Sequence, residues 1–84
     1  MPVHEKNLIE EDYVIPIILH AYWNNGCTVK QVCDKIGNAT VVKQRVEELV
    51  KNDIMTCNGE VLHLTKSGLA IGKHLDAAVD ILNS

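Results

Sequence analysis

The sequence contains no phenylalanine, and its aromatic residues are only Tyr13, Tyr22 and Trp23. It has no apolar run near the roughly 20 residues that a membrane-spanning helix requires. The start of the chain, MPVHEKNLIEED, lacks both the basic flank and the apolar stretch of a signal peptide. These absences argue against a membrane protein and against a secreted one, so we expect a cytoplasmic protein.

The cysteines are odd in number and form no CxxC pair, so they predict neither a disulfide framework nor a zinc ribbon. We expect Cys27, Cys33 and Cys57 to be buried reduced thiols. The histidines fall at no metal-ligand spacing, and no nucleophile-base motif, Gly-rich phosphate loop or suggestive carboxylate pair is present. We therefore expect no metal, no cofactor and no catalytic residues, and the protein is not predicted to be an enzyme.

The chain of 84 residues is long enough for one domain with a small core, so we expect a single domain over residues 1–84. Its net charge of -3 argues against indiscriminate binding of nucleic acid. The charge is unevenly distributed, because residues 28–54 hold five Lys or Arg and four acids and form the only basic third of the chain.

The apolar block in EEDYVIPIILHAYW predicts a first helix over about residues 11–24. Pro16 is tolerated only in a first helical turn or at a kink, so the helix either begins near Val14 or bends there. Tyr22 and Trp23 end this helix, and neighbouring helical side chains point about 100° apart. This angle allows one ring to belong to the core while the other is exposed, and an exposed ring would favour a protein interface.

Two short helices are predicted next. In TVKQVCDKI, Thr28 and Gln31 have the spacing of a capping box, and an apolar stripe follows, so we expect a helix over about residues 28–36. Asn38 is a suitable N-cap for a third helix over about residues 39–52. The apolar stripe of that helix is Val42, Val46, Leu49 and Val50. Two helices joined by a tight, glycine-containing turn form a helix-turn-helix.

A β-hairpin is predicted over about residues 54–64, because Asn58 and Gly59 separate two strand-like runs and favour a two-residue type I′ turn. In that register Cys57 faces Glu60. The two leucines of VLHL alternate with more polar residues, so the second strand is expected to have one inward face.

A last helix is predicted over about residues 67–83, with Thr65 or Ser67 as its cap. Part of its apolar stripe repeats at spacings of four, three and four, as in a coiled coil, through Ile71, Leu75, Ala78 and Leu82. The simpler interpretation is that this stripe covers the domain's own core. The helix has enough apolar positions for both roles, so we expect a homodimer through it.

Two segments carry a resemblance to a known family. TVKQVCDKIGNATVVKQRVEELVKNDIM resembles the second helix, turn, recognition helix and first wing strand of bacterial and archaeal regulators of the MarR, ArsR and PadR type. LHLTKSGLAIGKHL is similar to the second wing strand and the start of the following helix. The resemblance runs from about Thr28 to Leu75 and implies a winged helix-turn-helix fold, mainly α with a small β-hairpin (α+β). It also implies a small DNA-binding protein that regulates transcription.

In such regulators the third helix enters the major groove, so the partner implied is double-stranded DNA. Gln44 suits a bidentate contact with adenine, and Lys or Arg side chains suit phosphate or guanine. The DNA-binding positions implied are Asn38, Thr40, Lys43, Gln44, Arg45, Lys30, Lys35 and Lys51. For the lysines, the simpler interpretation is that they are solvated surface residues and bind nothing.

Acidic residues favour an alternative hypothesis. Helical geometry predicts that Gln44 and Glu48 point most directly outward, with Lys43 and Arg45 on the flanks. Glu60 stands at the predicted wing tip, where phosphates would repel it. Such a surface suits a protein-protein interaction module, for example an anti-repressor or an accessory subunit, that does not bind DNA.

Overall fold

The computed structural model describes residues 11–83, in the order three helices, an antiparallel hairpin and a fourth helix. The elements are α1 Val14–Trp23, α2 Val29–Ile36, α3 Ala39–Lys51, β1 Met55–Asn58, β2 Val61–Leu64 and α4 Lys66–Asn83. This architecture confirms the predicted α+β class and element order. None of the helices described is long and apolar enough to cross a membrane. The prediction about a signal peptide concerns the first residues, which lie largely outside the described part.

One apolar core joins the three N-terminal helices to the hairpin. Its largest fully buried side chains are Ile17, Ile18, Leu49, Met55, Leu62, Val14, Val32 and Val42. Burying a side chain of this size contributes about 1.5–3 kcal/mol, so these contacts supply most of the force that holds the elements together.

Helix α1 begins at Val14, and Pro16 lies in its first turn. A proline there costs no intrahelical hydrogen bond, because first-turn amides have no partner within the helix. The helix therefore starts three residues after the beginning of the predicted range of about 11–24, the alternative of a start near Val14 is confirmed, and a bend at Pro16 is excluded. Glu11 and Asp12 precede the helix instead of forming its first turn.

Helices α2 and α3 are joined by only two residues. The Thr28 hydroxyl accepts from the Gln31 amide at 3.1 Å, and Gln31 Oε1 accepts from the Thr28 amide at 2.8 Å, which confirms the capping box. Asn38 occupies the N-cap position of α3, but its side chain makes no capping hydrogen bond, so that prediction was wrong. Its φ of 49° is left-handed, whereas a capping residue typically has an extended backbone.

The hairpin register differs from the prediction by two residues. Asn58 pairs with Val61, so the two-residue loop is Gly59-Glu60, and Cys57 does not face Glu60. Gly59 has a φ of 66° and Glu60 has no positive φ, which matches a type II′ turn with glycine at its first central position. A shift of two residues leaves each strand with the same inward face, and the two leucines of β2 are buried as predicted.

The register follows from a pairing that the sequence did not predict. Residues 26–29 run along the other edge of β2, where the Leu62 amide donates to the Cys27 carbonyl oxygen at 2.7 Å. The Val29 amide donates to the Glu60 carbonyl oxygen at 2.9 Å. The hairpin loop is thereby tied to the start of α2.

Two residues, Thr65 and Ser67, were predicted as possible caps of α4, and the structure shows that Thr65 is the cap. Its Oγ1 accepts from the Gly68 amide at 3.1 Å and donates to the Asp53 carbonyl oxygen at 2.6 Å. One hydroxyl therefore begins α4 and also fixes it to the connection between α3 and β1.

The apolar stripe of α4 divides into two halves. Ile71 and Leu75 pack, half-buried, against the core. Ala78 and Leu82 are exposed, and Leu82 keeps 82% of its surface accessible. The first half therefore covers the domain's own core, and only the second half remains accessible for a partner.

Candidate nucleic-acid interface

Helix α3 turns one face to the core and the opposite face to solvent. Val42, Val46 and Leu49 are buried. We term the exposed residues Thr40, Lys43, Gln44 and Glu47 the outer face of α3. Asn38 is exposed just before the helix. Four of the implied DNA-binding positions, Asn38, Thr40, Lys43 and Gln44, are therefore accessible.

Arg45 lies on one flank of α3, and its guanidinium is bound within the chain. Its Nη1 contacts Glu48 Oε1 at 2.7 Å and Glu11 Oε2 at 3.0 Å, and its Nε donates to the Asp12 carbonyl oxygen at 3.2 Å. The hydrogen bond with Glu48 is the main cause of the raised pKa of Arg45. The charge of Arg45 is thus balanced by carboxylates of its own chain, and we no longer assign it a phosphate contact.

The same contact changes the role expected for Glu48. Helical geometry predicted that Glu48 points outward, but its side chain is only 38% exposed and is paired with Arg45. Lys43, predicted on a flank, is exposed. Within residues 11–83, Glu47 forms no ion pair and is the acid that remains on the outer face.

The four lysines proposed for DNA binding are exposed, and within the described part of the chain none forms an ion pair. Lys30 lies on α2 and Lys51 ends α3. Lys35 differs from them, because it lines an apolar groove between α1 and α2. Lys43 is therefore the lysine whose position agrees best with base or phosphate contact on the outer face.

A groove of about 690 Å³ borders α3 beside β1. Its lining residues include Gln44, Glu47, Val50, Lys51 and Cys57. Cys57 is exposed, so the expectation of three buried thiols was wrong for this residue. It shares the inward strand face with Met55, but it lies nearer the hairpin loop, where the core ends.

The other two cysteines are buried as predicted. Burial raises the pKa of the Cys27 thiol, which keeps it protonated at neutral pH. Among residues 11–83, no three His, Cys, Asp or Glu side chains are grouped so that they could hold a metal ion.

The loop of the hairpin adds no positive charge to this surface. Residues 52–65 contain no Lys or Arg, and Glu60 in the loop is exposed. A phosphate backbone near the loop would meet a carboxylate, so the loop offers no cation for a phosphate contact.

No family model matches the chain, and no curated protein is significantly similar to it. Among solved structures, the protein AF1382 from Archaeoglobus fulgidus is similar, with a TM-score of 0.80 and 16% sequence identity. The match covers 92% of this chain and 94% of that one. The two proteins share a fold over nearly their whole length.

Proposed function

We propose that the chain is a winged-helix protein that binds double-stranded DNA and regulates transcription, with α3 in the major groove. The outer face of α3 carries this proposal, because Thr40, Lys43 and Gln44 are exposed there while Glu48 is balanced by Arg45 on the flank. A lysine can hold a phosphate or guanine, and a glutamine can hold an adenine edge. The resemblance of residues 28–75 to winged-helix regulators supports the same function.

The affinity of one subunit is expected to be modest and sensitive to salt. When the pair of Arg45 and Glu48 is left out, residues 28–54 carry four lysines and three acids, so their net charge is only +1. The acids are Asp34, Glu47 and Asp53. A homodimer would add the lysines of a second subunit and hold two α3 helices roughly 34 Å apart, one turn of DNA. For a dimer through α4, the accessible seam residues are Ala78 and Leu82.

Replacing Lys43 by glutamate tests DNA binding directly. We expect the affinity for mixed genomic DNA at about 50 mM salt to fall roughly tenfold, and the slope of log K against log salt to decrease by about one. Fluorescence anisotropy at several salt concentrations measures both quantities. Lys73→Glu is the matched control, since Lys73 is an exposed lysine of α4 and the change in net charge is the same. Equal losses in the two variants, or no binding by the wild type, would sink the proposal.

The pairing of Arg45 with Glu48 gives a second prediction. Arg45→Met removes the balancing charge and leaves Glu48 to repel phosphates, so we expect DNA affinity to fall roughly fivefold. Arg45→Met combined with Glu48→Gln should restore the affinity, because the group formed by residues 11, 45 and 48 then has the same net charge as in the wild type, with Glu11 as its one carboxylate. Anisotropy measures binding, and circular dichroism checks that both variants are folded. If the double variant stays weak while remaining folded, Arg45 itself holds DNA.

The alternative is a winged-helix module that binds protein and not DNA. Exposed Glu47 and Glu60 favour it, since both are acids on the side that would face phosphate. Absence of DNA binding, together with a stoichiometric protein complex that Glu47→Lys disrupts, would establish this function instead.

A further inference from the structure

A second groove, of about 400 Å³, lies between α1 and the end of α2. We term it the α1 groove; its lining is Ile15, Pro16, Leu19, His20, Trp23, Lys35 and Ile36. Ile15, Leu19 and Trp23 are four residues apart and form one stripe along α1. Ile15 is 39% exposed and Trp23 is 55% exposed, so the stripe presents apolar surface to solvent at both ends.

Trp23 is held in place for contact. Its Nε1 donates to Asp76 Oδ1 of α4 at 2.8 Å, which satisfies the only polar atom of the indole. The exposed part of the ring therefore offers apolar surface without an unmet hydrogen bond. A tryptophan whose orientation is already fixed loses little conformational freedom when a partner covers it, and such residues often dominate the binding energy of interfaces.

We propose that a second copy of this chain covers the α1 groove, with the two α1 helices antiparallel about a two-fold axis. In that arrangement Trp23 of each copy packs against Ile15 and Pro16 of the other, while Leu19, which is only 8% exposed, forms the floor of the groove near the axis. At each end of the paired helices, the large Trp23 ring of one copy then lies against the smaller Ile15 and Pro16 side chains of the other. One surface serves both partners, as a two-fold interface requires.

The charges around the groove favour the same arrangement. Asp12 is exposed just before α1, while the titratable groups lining the groove, His20 and Lys35, are both basic. Antiparallel packing brings Asp12 of one copy towards the His20 end of the other, and it also aligns the two helix dipoles favourably. The exposed Leu69 of α4 makes a poorer occupant, because Lys66 and Lys73 flank it at helical spacing and would approach Lys35.

The dimer is expected to be weak, because α1 has only ten residues. A helix of that length extends about 15 Å, and its pairing buries less than the roughly 800 Å² per partner of a standard interface. The association should therefore depend on protein concentration in the micromolar range. The proposed dimer does not rest on the proposed DNA binding, so either one can hold without the other.

Trp23 reports on this interface directly, since it is the single tryptophan of the chain. When the full chain is concentrated from about 1 to about 200 µM, we expect its fluorescence to shift to shorter wavelength and to resist acrylamide quenching. Sedimentation should show conversion of monomer to dimer over the same range. A wild type that stays monomeric, or a tryptophan protected equally at every concentration because residues 1–10 cover it, would overturn the proposal.

Ile15→Glu is designed to weaken the proposed dimer without unfolding the domain. The new carboxylate lies in the first turn of α1, where the helix dipole favours it, so the variant should stay folded. We expect the dissociation constant of the dimer to rise at least about tenfold. Leu69→Glu is the matched control, because Leu69 is 43% exposed in the first turn of α4, and its dimer should be unchanged.

Charge reversal tests the orientation. Asp12→Lys should weaken the dimer, and Asp12→Lys with Lys35→Glu should recover it, as measured by sedimentation. Failure of the double variant to recover contradicts the antiparallel arrangement. If Leu82→Glu dissociates the dimer and Ile15→Glu does not, the interface is the C-terminal helix, and the proposal fails.

Discussion

Replacing Gly68 by alanine is expected to destabilise the protein by about 3 kcal/mol, the upper end of overpacking costs. In an ordinary helix the same change stabilises by about 1 kcal/mol. A Cβ on Gly68 would overlap the Ile54 carbonyl oxygen and lie 3.0 Å from Leu64 Cδ2. That oxygen is not free to move, because it accepts from the Thr65 amide at 3.0 Å. Helix α4 would therefore have to withdraw from the connection between α3 and β1.

Urea unfolding followed by circular dichroism measures this loss. Ala70→Gly is a suitable comparison, since Ala70 is an exposed residue of the same helix, and it should cost only the intrinsic penalty of about 1 kcal/mol. If Gly68→Ala instead stabilises the protein, the close approach of α4 to Ile54 is incorrect.

Gly72→Ala is expected to cost about 2 kcal/mol for a related reason. A Cβ there would lie 2.7 Å from Tyr22 Cδ1 and 2.9 Å from Tyr22 Cγ. The obstacle is a half-buried ring and not a backbone oxygen, so part of the strain can be relieved by movement of the side chain. The cost should therefore be smaller than at Gly68.

A double variant isolates this contact. Tyr22→Ala alone loses packing against the core, but in combination with Gly72→Ala it also removes the overlap. We expect the double variant to be more stable than the sum of the single losses predicts, by at least about 1 kcal/mol. Strict additivity in urea unfolding would show that Tyr22 does not limit the approach of α4.

The features that could be predicted from the sequence are those with local causes. The start of α2 follows from Thr28 and Gln31, and Pro16 restricts where α1 begins, because caps and prolines act within a single turn. The exposure of Lys43 and Gln44 agrees with helical periodicity around Val42 and Val46. The element order needs little more than these signals.

The features that were missed depend on contacts between distant parts of the chain. Asn58-Gly59 favours a type I′ turn locally, but pairing between residues 26–29 and β2 selects the other register. Likewise, periodicity cannot show that Glu11 approaches Arg45, and this contact helps decide which charges of α3 remain available. The close approach at Gly68 also requires the assembled fold.

The exposure of Cys57 has a practical consequence for testing both proposals. Because Cys27 and Cys33 are buried, and burial raises the pKa of the Cys27 thiol, a maleimide dye at neutral pH should attach to Cys57 selectively. The dye would lie on the groove beside α3, whereas Trp23 lies on the α1 groove. DNA binding and self-association can then be followed in the same sample through two separate optical signals.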